Sequence, residues 1–200
     1  MKKIFFWIYF IKQMSKIGIY GGSFNPIHWG HIGVAKYVLE HTDLNEVWLM
    51  VSPANPLKDK HILADEMQRF ELAQQQIQTM ISHETQFAQR ILVSDFELHL
   101  PRPSYMYNTL SQLAKAYPMH TFSLIIGEDN LYIFTQWKNW QEILQTPVYI
   151  YPRNNQKPQA ALQAIETLQK SVPQANITYF ADAPLLPISS TQIREQKTKI

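Results

Sequence analysis

Gly21-Gly22-Ser23-Phe24-Asn25-Pro26-Ile27-His28-Trp29-Gly30-His31 follows a strand-like segment, Ile17 to Tyr20, and leads into a stretch of helical period. Two adjacent glycines let a backbone turn tightly and approach a ligand. A helix that begins just beyond them offers unpaired amides and the positive end of its dipole to an anion. A phosphate seat is the reading these features favour. The stretch lacks the Lys-Ser/Thr ending of a Walker loop and the G-x-G-x-x-G spacing of a dinucleotide fold, so those two are disfavoured. If the helix starts near Trp29, His28 and His31 share one side of its first turn and can contact one phosphate. A metal site lacks the nearby carboxylate or third histidine it would need. Surface histidines beside an ordinary Gly-Gly turn remain an alternative on local grounds.

Outward from this stretch, short apolar runs alternate with longer segments of helical period. Strands are expected at Lys16–Tyr20, Glu46–Val51, Ile91–Ser94, Thr121–Ile126, Val148–Tyr151 and Ile177–Phe180. Helices are expected near Ile32–Glu40, Ala64–Thr79, Tyr105–Ala116, Trp140–Gln145 and Gln159–Gln169. The alternation predicts an α/β fold with a doubly wound, mainly parallel sheet. Ligands of such sheets bind at the carboxyl ends of strands, which directs attention to the exit loops, including Ser52–Lys60 and Pro101–Ser104.

Two hundred residues, 46% of them apolar, suit one domain with one sizeable core. A net charge of +2 and a pI near 8.7 come from scattered Lys and Arg, a pattern that fits small anionic substrates and not nucleic acid. The absence of cysteine excludes disulfides, thiolate zinc sites and a cysteine nucleophile, and agrees with a cytoplasmic setting. Lys2-Lys3 and the apolar run Ile4 to Ile11 resemble a short signal peptide, but the run is too short to span a bilayer and no cleavage pattern follows. Residues 1–14 are therefore read as an extension ahead of a start at Met14, with residues 15–200 as the functional domain. A hydrophobic arm for a partner or membrane surface is the competing reading, and no stable membrane association is expected.

Near the carboxyl end stands Ile188-Ser189-Ser190-Thr191-Gln192-Ile193-Arg194, with Pro184 and Pro187 upstream. Hydroxyls followed by a cation one turn later make a helix cap and an anion clamp, although a cap alone would explain the hydroxyls.

Together these two stretches resemble the G-G-x-F-[DN]-P-x-H-x-G-H and I-S-S-T-x-[IV]-R signatures of the nucleotidylyltransferases, a branch of the class I aminoacyl-tRNA synthetase-like fold. The resemblance implies that His28 and His31 bind ATP phosphates in the transition state. It implies that Arg194, Ser190 and Thr191 hold the triphosphate, Ser189 being a weaker candidate, and that Gly21, Gly22, Ser23 and Phe24 form the phosphate loop. Asn25 stands where many members have Asp, which argues against a catalytic carboxylate there.

The intermediate segments resemble nicotinate-nucleotide adenylyltransferases in particular. Ser52-Pro53-Ala54-Asn55-Pro56-Leu57-Lys58, one residue shorter between its prolines, is similar to a P-x-x-x-P-x-K loop whose lysine approaches the phosphates, implying that role for Lys58. Gly127-Glu128-Asp129-Asn130-Leu131 resembles a G-x-D-[SN]-L turn near the nucleotide, where Asp129 would bind ribose hydroxyls or simply cap a helix. Thr135-Gln136-Trp137-Lys138-Asn139-Trp140 is similar to the segment whose first tryptophan stacks on the pyridine ring, which selects Trp137, with Lys138 beside it. Pro103-Ser104-Tyr105-Met106-Tyr107-Asn108-Thr109-Leu110 matches P-S-Y-T-x-[DE]-T-L imperfectly. A main-chain amide at Met106 is implied to read the pyridine carboxylate, and Met106 and Asn108 depart from the pattern. The activity implied is adenylyl transfer from ATP to nicotinate mononucleotide, with Mg²⁺ arriving with ATP and no metal ligand assigned in the protein. Phosphopantetheine or nicotinamide mononucleotide are alternative acceptors, though the phosphopantetheine branch usually has Thr or Ser where His28 stands. Met106, and a chain that ends at Ile200 where relatives usually add about one more helix, keep a catalytically impaired nucleotide-binding module as a reading of another class. Homo-oligomerisation is left open.

Overall fold

The computed structural model describes residues 14–53, 66–153 and 158–197. The first thirteen residues and Lys58 lie outside the described residues, so the extension and the lysine loop stay as sequence readings. Six strands form one sheet: β1 (Lys16–Gly22), β2 (Glu46–Val51), β3 (Ile91–Ser94), β4 (Thr121–Gly127), β5 (Val148–Tyr151) and β6 (Ile177–Tyr179). They lie in the order β3-β2-β1-β4-β5-β6, and every neighbouring pair is parallel. The order reverses between β1 and β4, and the crevice beyond their carboxyl ends is where such sheets bind ligands. Gly22 and Gly127 are the residues that open onto it.

The helices are α1 (Trp29–His41), α2 (Glu66–Ile81), α3 (Thr85–Ala88), α4 (Met106–Ala116), α5 (Glu128–Leu131), α6 (Trp140–Ile143), α7 (Pro158–Ser171) and α8 (Ser190–Lys197). Residues facing opposite ways along β1 feed two cores. Ile17 and Ile19 join Leu110 and Leu113 of α4 and Ala161, Ile165 and Leu168 of α7. Tyr20 joins Ile32, Ala35 and Val38 of α1 and Ala73 and Ile77 of α2. A sheet buried on both faces explains why its strands read as continuous apolar runs.

The long elements fall where expected, to within a few residues. The short α3, α5 and the 3₁₀ turns at Phe96–His99 and Phe134–Gln136 were not expected, because elements of three or four residues are too short to show a period. A second correction concerns the glycines. Among the described residues no glycine has positive φ, and Gly21 and Gly22 are still in β1. The chain turns instead at Phe24, buried and at φ 43°, a left-handed conformation that is strained for a bulky residue. The glycines serve close approach: a β-carbon at Gly22 would lie 3.1 Å from the Phe24 ring, and one at Gly21 would lie 3.1 Å from Cε of Met106.

Beneath the exit loops, Arg69 of α2 is 1% exposed. Its guanidinium donates to the Ser23 carbonyl and, at 2.8 Å, to the Ser52 carbonyl. The Ser52 amide in turn donates to the Gly22 carbonyl at 2.9 Å. One buried cation thus ties the β1 exit to the β2 exit. Replacing Arg69 with Leu leaves two part-buried carbonyls without their donor, and we expect a loss of about 3 kcal/mol in chemical denaturation, with the midpoint lowered and the slope unchanged.

Candidate active site

His28 is the N-cap of α1 and His31 its third residue, and the two rings close a capping box that serine and glutamate more commonly make. Nδ1 of His28 accepts from the Gly30 amide at 3.1 Å, and Nδ1 of His31 accepts from the His28 amide at 3.2 Å. Both Nδ1 atoms are acceptors, so in each neutral ring the proton sits on Nε2. The rings stack with centroids 3.8 Å apart, and Phe24 meets His31 edge-on at 5.0 Å. Exposure is 4% for His28 and 9% for His31. Burial, followed by the charge of Arg153, pushes His28 down to about 4. Burial, His28 and Arg153 in that order push His31 down to about 2. At neutral pH the pair therefore offers two oriented N–H donors and no charge.

The far end of the chain closes onto this loop. Ser189 and Gln192 form a second capping box at the start of α8: the Gln192 amide donates to Ser189 Oγ at 3.3 Å, and the Ser189 amide donates to Gln192 Oε1 at 2.9 Å. Ser189 therefore caps, leaving the next residues to reach outward. Ser190 Oγ donates to the Pro26 carbonyl at 2.9 Å, and the Arg194 guanidinium donates to the Asn25 carbonyl and to Thr191 Oγ1. Further upstream, the Tyr151 hydroxyl donates to the Pro184 carbonyl at 2.6 Å, holding the approach to α8 against β5. Ile188 rests on Gly30, where a β-carbon would come within 2.7 Å of Cγ2.

At the end of β4, Gly127 borders the same small recess as His28 and His31, together with Tyr20, Arg153 and Ile188. Asp129 is not the N-cap of α5; that position is Gly127, and the exposed Asp129 carboxylate instead faces Arg153, Oδ1 to Nε 3.7 Å. An open cleft of about 400 Å³ adjoins, lined by Arg153, Leu185 to Ser189 and Gln192. On the other side, Met106 abuts Gly21 at the first residue of α4, whose N-cap is Tyr105. The Lys138 ammonium lies 4.7 Å above the Tyr105 ring. Trp137 is half-buried, stacks on Phe134 at 5.2 Å and packs against the same core as Met106.

Four groups escaped the sequence reading. Arg69 and Glu128 are 1% exposed, Glu97 is buried, and Arg153 lines both recesses. Burial pushes the Glu97 carboxyl up while hydrogen bonds from Ser104 and Ser52 oppose it. Charged residues in apolar periods were the only signal for the buried three. Among the described residues, no group of three or more His, Asp or Glu side chains could hold a metal ion, and no helix is long and apolar enough to cross a membrane.

The depressed histidines carry a pH signature. Unfolded histidine takes up a proton near 6.5, whereas the folded rings resist until about 4 and about 2. Stability is thus complete above about 6.5 and declines as pH falls through 4. We expect the Tm to fall by on the order of 5 °C between pH 7 and 4.5, and the His28→Gln/His31→Gln double variant to show a flatter profile in the same melts.

The family model described as cytidylyltransferase-like matches residues 19–196. A protein of Flavobacterium psychrophilum described as "Probable nicotinate-nucleotide adenylyltransferase" is 40% identical over 181 residues, covering 90% of this chain and 85% of that one. Its namesake in Flavobacterium johnsoniae is 42% identical over 180 residues, covering 90% and 84%. Among solved structures, Plasmodium falciparum nicotinic acid mononucleotide adenylyltransferase complexed with NaAD superposes with a TM-score of 0.68 at 20% identity, covering 90% of this chain and 83% of that one. At that identity the likeness speaks to the fold, and the sequence relatives speak to the family: the chain belongs to the nicotinate-nucleotide adenylyltransferases of the nucleotidylyltransferase superfamily.

Proposed function

We propose that this chain transfers the adenylyl group of ATP to the 5′-phosphate of nicotinate mononucleotide, giving deamido-NAD and pyrophosphate, in the cytoplasm as a step of NAD synthesis. The observation that carries the reading is the seating of the Ser190 hydroxyl and the Arg194 guanidinium on the carbonyls of the loop that presents His28 and His31. The sequence relatives bear the nicotinate name, and they give no support to the phosphopantetheine, nicotinamide or inactive-module alternatives.

An oxygen of the mononucleotide phosphate attacks the α-phosphorus of ATP in line. The new P–O bond forms as the bond to the bridging oxygen breaks, and its electron pair leaves on pyrophosphate. The attacking phosphate, with a second pKa of about 6, is already largely ionised, so no general base is needed and Asn25 can stand where others have Asp. His28 and His31 donate from Nε2 to phosphate oxygens, while Thr191, Arg194 and Lys58, with the main-chain amide of Ser190 at the start of α8, hold the triphosphate over the loop Gly21 to Phe24. Asp129, beside Gly127, takes the ribose hydroxyls. Mg²⁺ enters with ATP as part of the substrate. Trp137 faces the pyridine ring, and the open amide at Met106, with Lys138 close by, meets its carboxylate.

Replacing either histidine with Ala removes one preorganised donor, and kcat should fall by about 10²–10³. Near-normal turnover in both variants, measured as pyrophosphate release, would falsify their assignment. Acid over amide should be preferred by about 10–100-fold in kcat/KM, the scale of one charge-assisted hydrogen bond. Equal or better use of nicotinamide mononucleotide overturns the choice of acceptor.

A further inference from the structure

Arg153 follows β5 by two residues and is the one charged side chain bordering both the histidine recess and the 400 Å³ cleft among the described residues. Its main chain is anchored from within the fold. The Arg153 amide donates at 3.2 Å to the carboxylate of buried Glu128, which also accepts the Tyr132 hydroxyl at 2.6 Å and the Tyr179 hydroxyl at 3.4 Å. Its side chain crosses Gly127, where a β-carbon would lie 3.1 Å from Nε. The guanidinium is therefore aimed into the crevice at the β1/β4 reversal.

It is also available. Its ion pair with Asp129 is long at 3.7 Å, with the two side chains 37% and 63% exposed. Such a pair contributes little against solvent and is readily exchanged for a polyanion. The two terminal nitrogens have no hydrogen-bond partner among the described residues. By contrast, the Arg194 guanidinium is engaged by the Asn25 carbonyl and Thr191.

The reaction needs what Arg153 has. As the bond to the bridging oxygen breaks, negative charge gathers on the leaving pyrophosphate. Two neutral imidazoles orient that charge without neutralising it. A guanidinium is permanently charged and matches phosphate oxygens with a planar fork.

We propose that Arg153 is a further catalytic residue, exchanging Asp129 for the β- and γ-phosphates of ATP and carrying the charge of the departing pyrophosphate. The inference rests on the adenylyl-transfer reading above, and Arg153 moves no proton in it.

Wild-type protein with ATP, Mg²⁺ and nicotinate mononucleotide tests that reading first; no dinucleotide would sink the reading itself. Given turnover, Arg153→Ala should lower kcat/KM for ATP by about 10²-fold, with KM for the mononucleotide within about threefold and the thermal melt near wild type. In calorimetric titrations its affinity for inorganic pyrophosphate should weaken at least about tenfold, one charge-assisted contact, and its affinity for AMP should change less than about twofold. Arg153→Lys should recover part of both losses. Wild-type kcat/KM in Arg153→Ala, or equal weakening for pyrophosphate and AMP, overturns the proposal while leaving the adenylyl-transfer reading intact.

Discussion

Two main-chain carbonyls, of Asn25 and Pro26, decide how the two ends of this chain meet. They accept from Arg194 and Ser190, residues 169 and 164 positions away. Carbonyls in a loop bent through a left-handed phenylalanine cannot pair within a strand or helix, and a partly buried acceptor without a donor is costly. The last helix supplies those donors. In doing so it brings the Ser190–Arg194 motif against the His28–His31 motif, so one set of hydrogen bonds both satisfies the loop and joins the two ends of the chain.

The division of electrostatic labour follows from that arrangement. The capping contacts at the start of α1 consume Nδ1 of both histidines, which settles their tautomers, and burial keeps them neutral. They are direction without charge. Charge resides in guanidiniums with separate duties: Arg69 holds the exit loops together from below, Arg194 holds the loop from the far end, and Arg153 lies along the open side. Arginine suits each place because it stays charged when partly desolvated and can bond two acceptors at once.

Much of the fold was legible because a sheet covered on both faces writes its strands as apolar runs and its helices as 3.6-residue periods. Glu46–Val51, Ile91–Ser94 and Val148–Tyr151 were bounded correctly on that signal alone. The elements nearest the chemistry were less legible: α5 and the turn at Phe134–Gln136 are single turns whose form depends on what they pack against. The glycines illustrate the same boundary. Their presence was readable, but their reason was not, since the ring and thioether that pass over them come from elsewhere in the folded chain.

What the sequence determined by itself was the α/β class and the order of the motifs, because periodicity and motif spacing are local properties of the chain; the kind of chemistry came from the family resemblance that those motifs carry. Only the tertiary structure decided the proton positions on His28 and His31, the pairing of Asp129 with Arg153, and the burial of Arg69, Glu97 and Glu128. The ring protons follow from capping contacts only two and three residues long, which exist once α1 has formed where it packs, and the others depend on residues distant in sequence. Burial and hydrogen-bond partners are set by packing, and no local pattern of residues encodes them.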